Sequence, residues 1–566
     1  MRINTGMLLA MGAMLIGCSR PYSGEGQMAA PIKHQKNQAT KLSRSYQSVE
    51  FYNTIILEPY KRLGKKDPQW EEQALCYIQN YIDFAAKDKT SKIRPEDMLQ
   101  KGHYLIHTLG CNDPVVCFCY GRCVYALRNE EYRSIFPLME QTAKSLKEGN
   151  YPRVICYQTP RDLAKSKHPN ANEYAREAIE QAILAIAQTQ YILGHEEAWL
   201  KNIRNVFDNC SLWSQPYLDQ IRAAVDGNPD IPWYEKHVMT GMYHYYKAWA
   251  HRGGDYANTV TEKGWREFNK HMEIARVYLT EAWEEEPNKL MAPLQMINVA
   301  GMGFAGEGET ERLWFDRTIT VELDNVNAYI DLIFVTLPRW GGSLDQIYSF
   351  GLACLETKRY DTLVPLQYLL AMEYIKSELD GDRNKRWWRK AGVPKKIRRM
   401  IAGYRKEKNC PIRQSWLSSL ELIDEWEHGN LKKAGAMLEA LGNDHLEQEP
   451  FRLYYYYKAD TSGPISKLIP LYNDTKPEPT EFTALPLRIE IPKPSPEQKP
   501  RTAAKRIPKH ASEPAELRIG MLLSEVIDII GPAPARLKTA NMTIWSYSDL
   551  DIESVDGKTV SSIVRR

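Results

Sequence analysis

Histidines recur every seven residues at His237, His244 and His251. Residues seven apart on a helix lie within about 20° of each other, so all three share one face. Neutral imidazoles aligned in this way can ligate a metal or exchange protons near neutral pH. Trp233, Tyr245, Tyr246 and Trp249 are interleaved with them, and that company favours ring packing over chemistry. Four thiols crowd together at Cys111, Cys117, Cys119 and Cys123. Zinc modules of the ribbon kind present paired C-x-x-C knuckles, which this spacing lacks. Cys117, Cys119 and Cys123 fall in one helix after Asn112-Asp113-Pro114, where Cys119 and Cys123 share a face and Cys117 does not. The expectation is buried small hydrophobes or a stray disulfide. His195-Glu196-Glu197 reads as a helix start, and H-E-x-x-H, P-loop, G-x-S-x-G and C-x-x-C motifs are all missing. The reading is therefore no catalytic residue, no metal and no cofactor, and an enzyme is not expected.

Cys18 carries the clearest chemical assignment. Arg2 precedes an apolar run from Met7 to Ile16, which is too short to span a bilayer, and the run ends in Leu15-Ile16-Gly17-Cys18. That ending resembles a bacterial lipobox, in which the thiol accepts a diacylglycerol and becomes the new N-terminus after cleavage; the alternative is an ordinary secretory peptide. Each buried acyl methylene contributes about 0.8 kcal/mol, so a multiply acylated Cys18 stays on the membrane. Ser19 in place of an aspartate favours transfer to the outer membrane, facing the periplasm. The polar stretch that follows suits a tether of about 25 Å reach. Residues 1–17 are read as signal and 18–45 as lipidated cysteine and tether.

Binding is assigned to two aromatic sites in the chain's body. Residues 383–408 hold a dense basic run in which Arg386, Trp387, Trp388 and Arg389 stand together. The net charge of +3 over 566 residues gives no overall nucleic-acid signature. Anionic lipid or a cell-envelope polyanion is the ligand expected there, with a solvated helix face as the alternative. The second site is Trp340-Gly341-Gly342-Ser343, an inter-helix turn whose glycines supply backbone freedom and whose Ser343 caps a helix through Phe350. A ligand loop centred on Trp340 is the sharper reading of the same residues.

Amphipathic helix signals position these groups from about Tyr46 to Asp460, and period-two strand patterns are scarce. Helices start near Asp67-Pro68, Asp113-Pro114 and Ile231-Pro232-Trp233 and stop near Gly194, Gly227 and Gly442. Ala275-x3-Leu279-x2-Ala282-x4-Pro287 resembles the second helix of a tetratricopeptide repeat: the alanines admit a neighbouring helix and Leu279 fills the gap. Gly429, Ala434, Leu438 and Leu441 form a second copy, after a helix from Trp416 to Trp426. Looser echoes occur at Tyr132 to Met139 and Tyr360 to Leu369. Stacked helix pairs over residues 46–472 are the architecture this implies.

Gly110-Cys111-Asn112-Asp113-Pro114, Ala248-Trp249-Ala250-His251-Arg252-Gly253-Gly254, Trp314-Phe315-Asp316-Arg317 and Pro338-Arg339-Trp340-Gly341-Gly342-Ser343 also resemble the wording of an uncharacterised group of exported tetratricopeptide-like proteins. That resemblance implies a scaffold and supplies no activity. Prolines then punctuate residues 473–514, which read as an extended linker of about 3 Å per residue. Residues 515–566 contain a helical run from Leu523 to Ile530, a stop at Gly531-Pro532-Ala533-Pro534 and strand-like runs from Thr543, Leu550 and Thr559, with Asp556-Gly557 as a hairpin turn. They resemble the SmpA/OmlA (BamE-like) lipoprotein domain in Gly520-Met521, Val526, Gly531, Pro534, Trp545, Tyr547, Asp556-Gly557-Lys558 and Val560. Pro532 is a departure from it. The resemblance implies a small α+β domain, read here as a docking module; its apolar positions, Trp545 the largest, can build one core, and Trp545 is also assigned as a binding residue.

The combined expectation is a mainly α chain, a tetratricopeptide-like solenoid followed by a Pro-rich linker and a small α+β domain. It would act as a lipid-anchored protein-protein interaction scaffold in the cell envelope, in outer-membrane assembly or maintenance, with membrane contact through its lipid. The alternative is a glycan or anionic-lipid binder that uses residues 383–408.

Overall fold

The computed structural model describes residues 48–86, 95–127, 131–166, 168–213, 215–254, 257–379, 391–427 and 430–441, and in the C-terminal part 526, 535–538, 543–546, 550–554, 560 and 562–565. Cys18, Arg386, Trp387, Trp388, Arg389, the tether and the Pro-rich linker lie outside the described residues.

The chain is mainly helical, and its helix boundaries follow side-chain chemistry. Helices of eight residues or more are α1 Glu71–Ala85, α2 Pro95–His103, α3 Pro114–Leu127, α4 Phe136–Glu148, α5 Gln158–Lys165, α6 Ala171–Ile186, α7 Glu196–Trp213, α8 Gln215–Asp226, α9 Trp233–Arg252, α10 Glu262–Glu285, α11 Met291–Gly301, α12 Glu311–Val321, α13 Val326–Val335, α14 Leu344–Glu356, α15 Gln367–Glu378, α16 Val393–Lys406, α17 Gln414–Glu427 and α18 Leu431–Leu441. Asp113 opens α3: its Oδ1 accepts from the backbone N–H groups of Val115 at 2.8 Å and Val116 at 3.2 Å, and its Oδ2 accepts from that of Lys65 at 2.8 Å. Thr261, Thr310, Asn325 and Ser343 cap α10, α12, α13 and α14 in the same way, each satisfying a first-turn donor the helix cannot.

The chain divides into two compact units, one of Met1–Asp380 with Ala402–Ile412 and one of Gly381–Ile401 with Arg413–Arg566. In the first, successive helices from α1 to α13 pack one on the next and α14 packs on α15, and α7, α9, α11, α13 and α15 also pack one on the next. Alternate helices thus share a layer, an arrangement compatible with an α-solenoid. The α9–α10 hairpin is the most extensive of these pairings. Ala275, Leu279 and Ala282 are wholly buried on α10. Gly241 of α9 lies against them so closely that a Cβ there would stand 2.5 Å from Leu279 Cγ. Some ties depart from nearest-neighbour stacking: Thr54 Oγ1 sits 3.2 Å from His195 Nε2, with Phe51 against the same imidazole, Arg204 pairs with Asp331 at 2.9 Å, and Lys201 reaches Glu322 at 3.6 Å.

Several local expectations change. The Tyr132 to Met139 echo is broken between Glu131–Ser134 and α4, and most of Tyr360 to Leu369 precedes α15. Gly194 does not stop a helix; α6 has already ended at Ile186, and Gly194, at φ 81°, turns the chain into α7 while its N–H donates to Glu196 Oε1 at 2.9 Å. The α14 helix runs past Phe350 to Glu356, and within it Gly351 lies against α15, where an added Cβ would stand 2.8 Å from that of Ala371. Most of the quoted phrases resolve into caps and stacks: Arg317 lies over the rings of both Trp283 and Trp314, and Arg252 over those of Trp249 and Trp265.

In the second unit α17 packs on α18, with Ala434 and Leu438 buried. Strands β1 Ala535–Lys538, β2 Thr543–Ser546, β3 Leu550–Ser554 and β4 Ser562–Arg565 form an antiparallel sheet in sequence order. The register sets Arg536, Trp545, Ile552 and Ile563 in one cross-strand row. The expected strand starts at Thr543 and Leu550 agree; β1, just beyond the proline-rich stop, has no counterpart in the sequence reading.

Candidate functional site

The α9–α10 hairpin brings the chemistry-bearing side chains together. Its two helices run in opposite directions, so the step of seven from His237 to His244 on α9 meets the step of seven from Tyr278 back to His271 on α10, and His251 returns to that same His271. His237 faces Tyr278, with ring centroids 5.3 Å apart, and its Nε2 lies 3.7 Å from Glu281. One step on, His244 Nδ1 lies 2.8 Å from His271 Nδ1. At the next step His251 stacks on His271 at 5.3 Å and an interplanar angle of 8°. Glu267, one turn before His271, completes the group: His251, Glu267 and His271 each offer a ligand atom within 4.8 Å of the others. Close approach at Gly241 brings the two helices near enough for this ladder.

Burial sets the electrostatics. It lowers His271 to about 4, helped by His251 and Lys270, and takes His237 to about 4 as well. His244 is pushed well below the ordinary imidazole range, by burial first and by His271 second. His251 is lowered by burial and by Lys247. At neutral pH these rings are uncharged, the state in which imidazole ligates a metal. Lys247 is engaged by both oxygens of Asp219, at 2.7 and 2.8 Å. Lys270 and Arg266 reach Glu267 only at 3.9 and 3.8 Å.

From sequence, His237, His244 and His251 read as aromatic packing. That holds for His237, which stacks on Trp233 at 3.6 Å. The pairing with α10 is missed. The signal that could have found it is Glu267-x3-His271, two ligating residues one turn apart on a helix joined to α9 by a short connection.

The other assigned residues do not join this group. Trp340 stands between α13 and α14, edge-on to Trp249 at 5.8 Å and tilted against Phe334 at 5.8 Å. Gly341 takes φ 97°, and Gly342 lies so near Thr336 O that a Cβ would stand 1.9 Å from it. Packing and turn geometry therefore account for these residues. Trp545 lies on β2, opposite Arg536 and Ile552. Cys111, Cys117, Cys119 and Cys123 are buried and free; burial lifts the Cys117 and Cys123 thiols to about 12, so they stay protonated. Sequence reasoning also missed a buried ion cluster, in which Asp162 pairs with Arg122 and, at 2.9 Å, with Arg161. Burial alone would raise Asp162; the two guanidiniums overcome it and hold the carboxyl below its usual range.

The chain matches no protein-family model, no curated protein and no solved structure.

Proposed function

We propose that this chain is an exported lipoprotein, anchored through a lipid on Cys18, whose helical body serves as a protein-protein interaction scaffold in the cell envelope. The observation that carries the scaffold reading is the layered packing of alternate helices α7 to α15, which supports a tetratricopeptide-like solenoid. A solenoid offers extended surface in proportion to its helix pairs. Outer-membrane residence rests on Ser19, and the docking role of residues 515–566 rests on their likeness to the SmpA/OmlA domain, with the β1–β4 sheet as its strand part. Fractionation tests the anchor: wild type stays with outer membranes through a high-salt wash, Cys18→Ser is released, and retention of the variant refutes anchoring. Truncation before Pro514 tests docking, which should leave helical content intact and reduce partner binding.

A second reading is favoured by α16. Val393, Ile397, Met400, Ile401 and Tyr404 are buried, whereas Lys395, Arg398, Arg399, Arg405 and Lys406 are exposed. The helix thus buries one face and presents a basic one, which supports binding of anionic lipid or envelope polymer. Ionic strength separates the readings: polyanion binding collapses between low and moderate salt, and apolar groove binding changes little.

A further inference from the structure

We infer that the α9–α10 hairpin holds a divalent transition-metal ion of the zinc class, ligated by His251, Glu267 and His271, with His244 positioning the His271 ring. Two imidazoles and one carboxylate are a donor set that suits zinc, and three protein ligands leave a coordination position for water. The donors come from both helices. His251 lies in the last turn of α9, and Glu267 and His271 share one face of α10, so an ion there would staple the hairpin.

The geometry is close to what the ion requires. Ligand bonds of about 2.0–2.2 Å in a tetrahedral site put donor atoms roughly 3.3–3.5 Å apart. The three atoms already lie within 4.8 Å of one another, and side-chain rotation of about 1 Å closes the difference. The rings of His251 and His271 lie nearly parallel with centroids 5.3 Å apart, close enough for a nitrogen of each to serve one ion. His271 Nδ1 is taken up by His244 Nδ1 at 2.8 Å, so Nε2 is the nitrogen left for the ion. A ligating histidine whose other nitrogen is held by a hydrogen bond is the usual outer-shell arrangement of metal sites. Local charge also permits the ion: Asp219 neutralises Lys247, and the long pairs of Glu267 with Lys270 and Arg266 are weak competitors for its carboxylate.

The full-length protein, stripped by chelator and titrated with Zn²⁺ alone, tests the site by calorimetry and thermal unfolding. One ion should bind per chain and raise the melting temperature. His251→Ala should abolish that binding, and the near-isosteric Glu267→Gln should weaken it at least 10-fold while circular dichroism remains that of the wild type. His244→Phe, which keeps a ring but removes the outer hydrogen bond, should weaken the zinc constant by about 10–100-fold. His103 and His107, with ring centroids 4.4 Å apart, are the competing histidine pair. Absence of zinc binding to the folded wild type overturns the inference. So does zinc binding that survives in both His251→Ala and Glu267→Gln and is lost in the double variant His103→Ala with His107→Ala.

Discussion

Substituting Gly241 by Ala sets two opposing effects against each other at the crossing of α9 and α10. In an exposed helix interior the change would stabilise by about 1 kcal/mol through helix propensity. Here the new methyl would stand 2.5 Å from Leu279 Cγ, 2.8 Å from Leu279 Cδ2 and 3.4 Å from Ala275 O. Leu279 is wholly buried and cannot swing into solvent. Overpacking of this kind costs about 1–3 kcal/mol, so the net effect is a loss of about 1 kcal/mol. Leu279→Ala alone should cost about 2–5 kcal/mol through lost burial and the cavity it leaves. In that background the methyl added at Gly241 occupies vacated space and propensity reasserts itself, so Gly241→Ala becomes stabilising by about 1 kcal/mol. The sign reversal amounts to a coupling of about 2 kcal/mol. Native-state hydrogen exchange of the α9 and α10 amides measures it locally, without assuming that 566 residues unfold in one step. Stabilisation by Gly241→Ala in the wild-type background, or the same effect in both backgrounds, would refute the close-approach argument.

Three further outcomes are expected. Asp162→Asn leaves Arg122 and Arg161 without their carboxylate and should cost about 3–5 kcal/mol, read as a lowered urea midpoint; an unchanged midpoint contradicts the buried cluster. His237 titrates near 4 when folded and near 6.5 when unfolded, with Trp233 O, Lys236, Arg222 and Glu281 around it. The unfolded chain therefore takes up the proton first, and stability present above pH 6.5 is lost as pH falls from 6.5 towards 4, by at most about 3 kcal/mol; in His237→Gln the pH slope measured by urea unfolding should flatten. Exposed Cys76 should alkylate in the native protein, while Cys117 and Cys123 react only on unfolding, as mapped by mass spectrometry; rapid native labelling of Cys117 would disprove its burial.

Local elements are legible where one residue type does one job. Asp113-Pro114 marks α3 because a carboxylate can satisfy first-turn donors, and Ala275, Leu279 and Ala282 mark a helix-packing face because small residues admit a neighbour. Ser343 and the glycines before it give the turn for the same reason. Illegible are features created by two segments meeting. Glu267-x3-His271 is too short a pattern to stand alone, and the pair comes to face His251 only when α10 folds back on α9. Asp162, 40 residues from Arg122, looks like any surface aspartate until burial makes its partners obligatory. Gly194 misleads because glycine serves equally as a helix stop and as a turn before the next helix.

The contact of Thr54 and Phe51 with His195 has a mechanical consequence. In an array whose contacts join only neighbours, tension applied at one end loads each helix pair in turn, and the array peels progressively. The clasp at His195 closes a loop of 141 residues. A pull entering at the N-terminal side is handed at that point directly to the start of α7, and helices α1 to α6 are shielded until the clasp opens. Extension of the chain should therefore show one threshold event that releases a long segment, in place of a graded series beginning at α1.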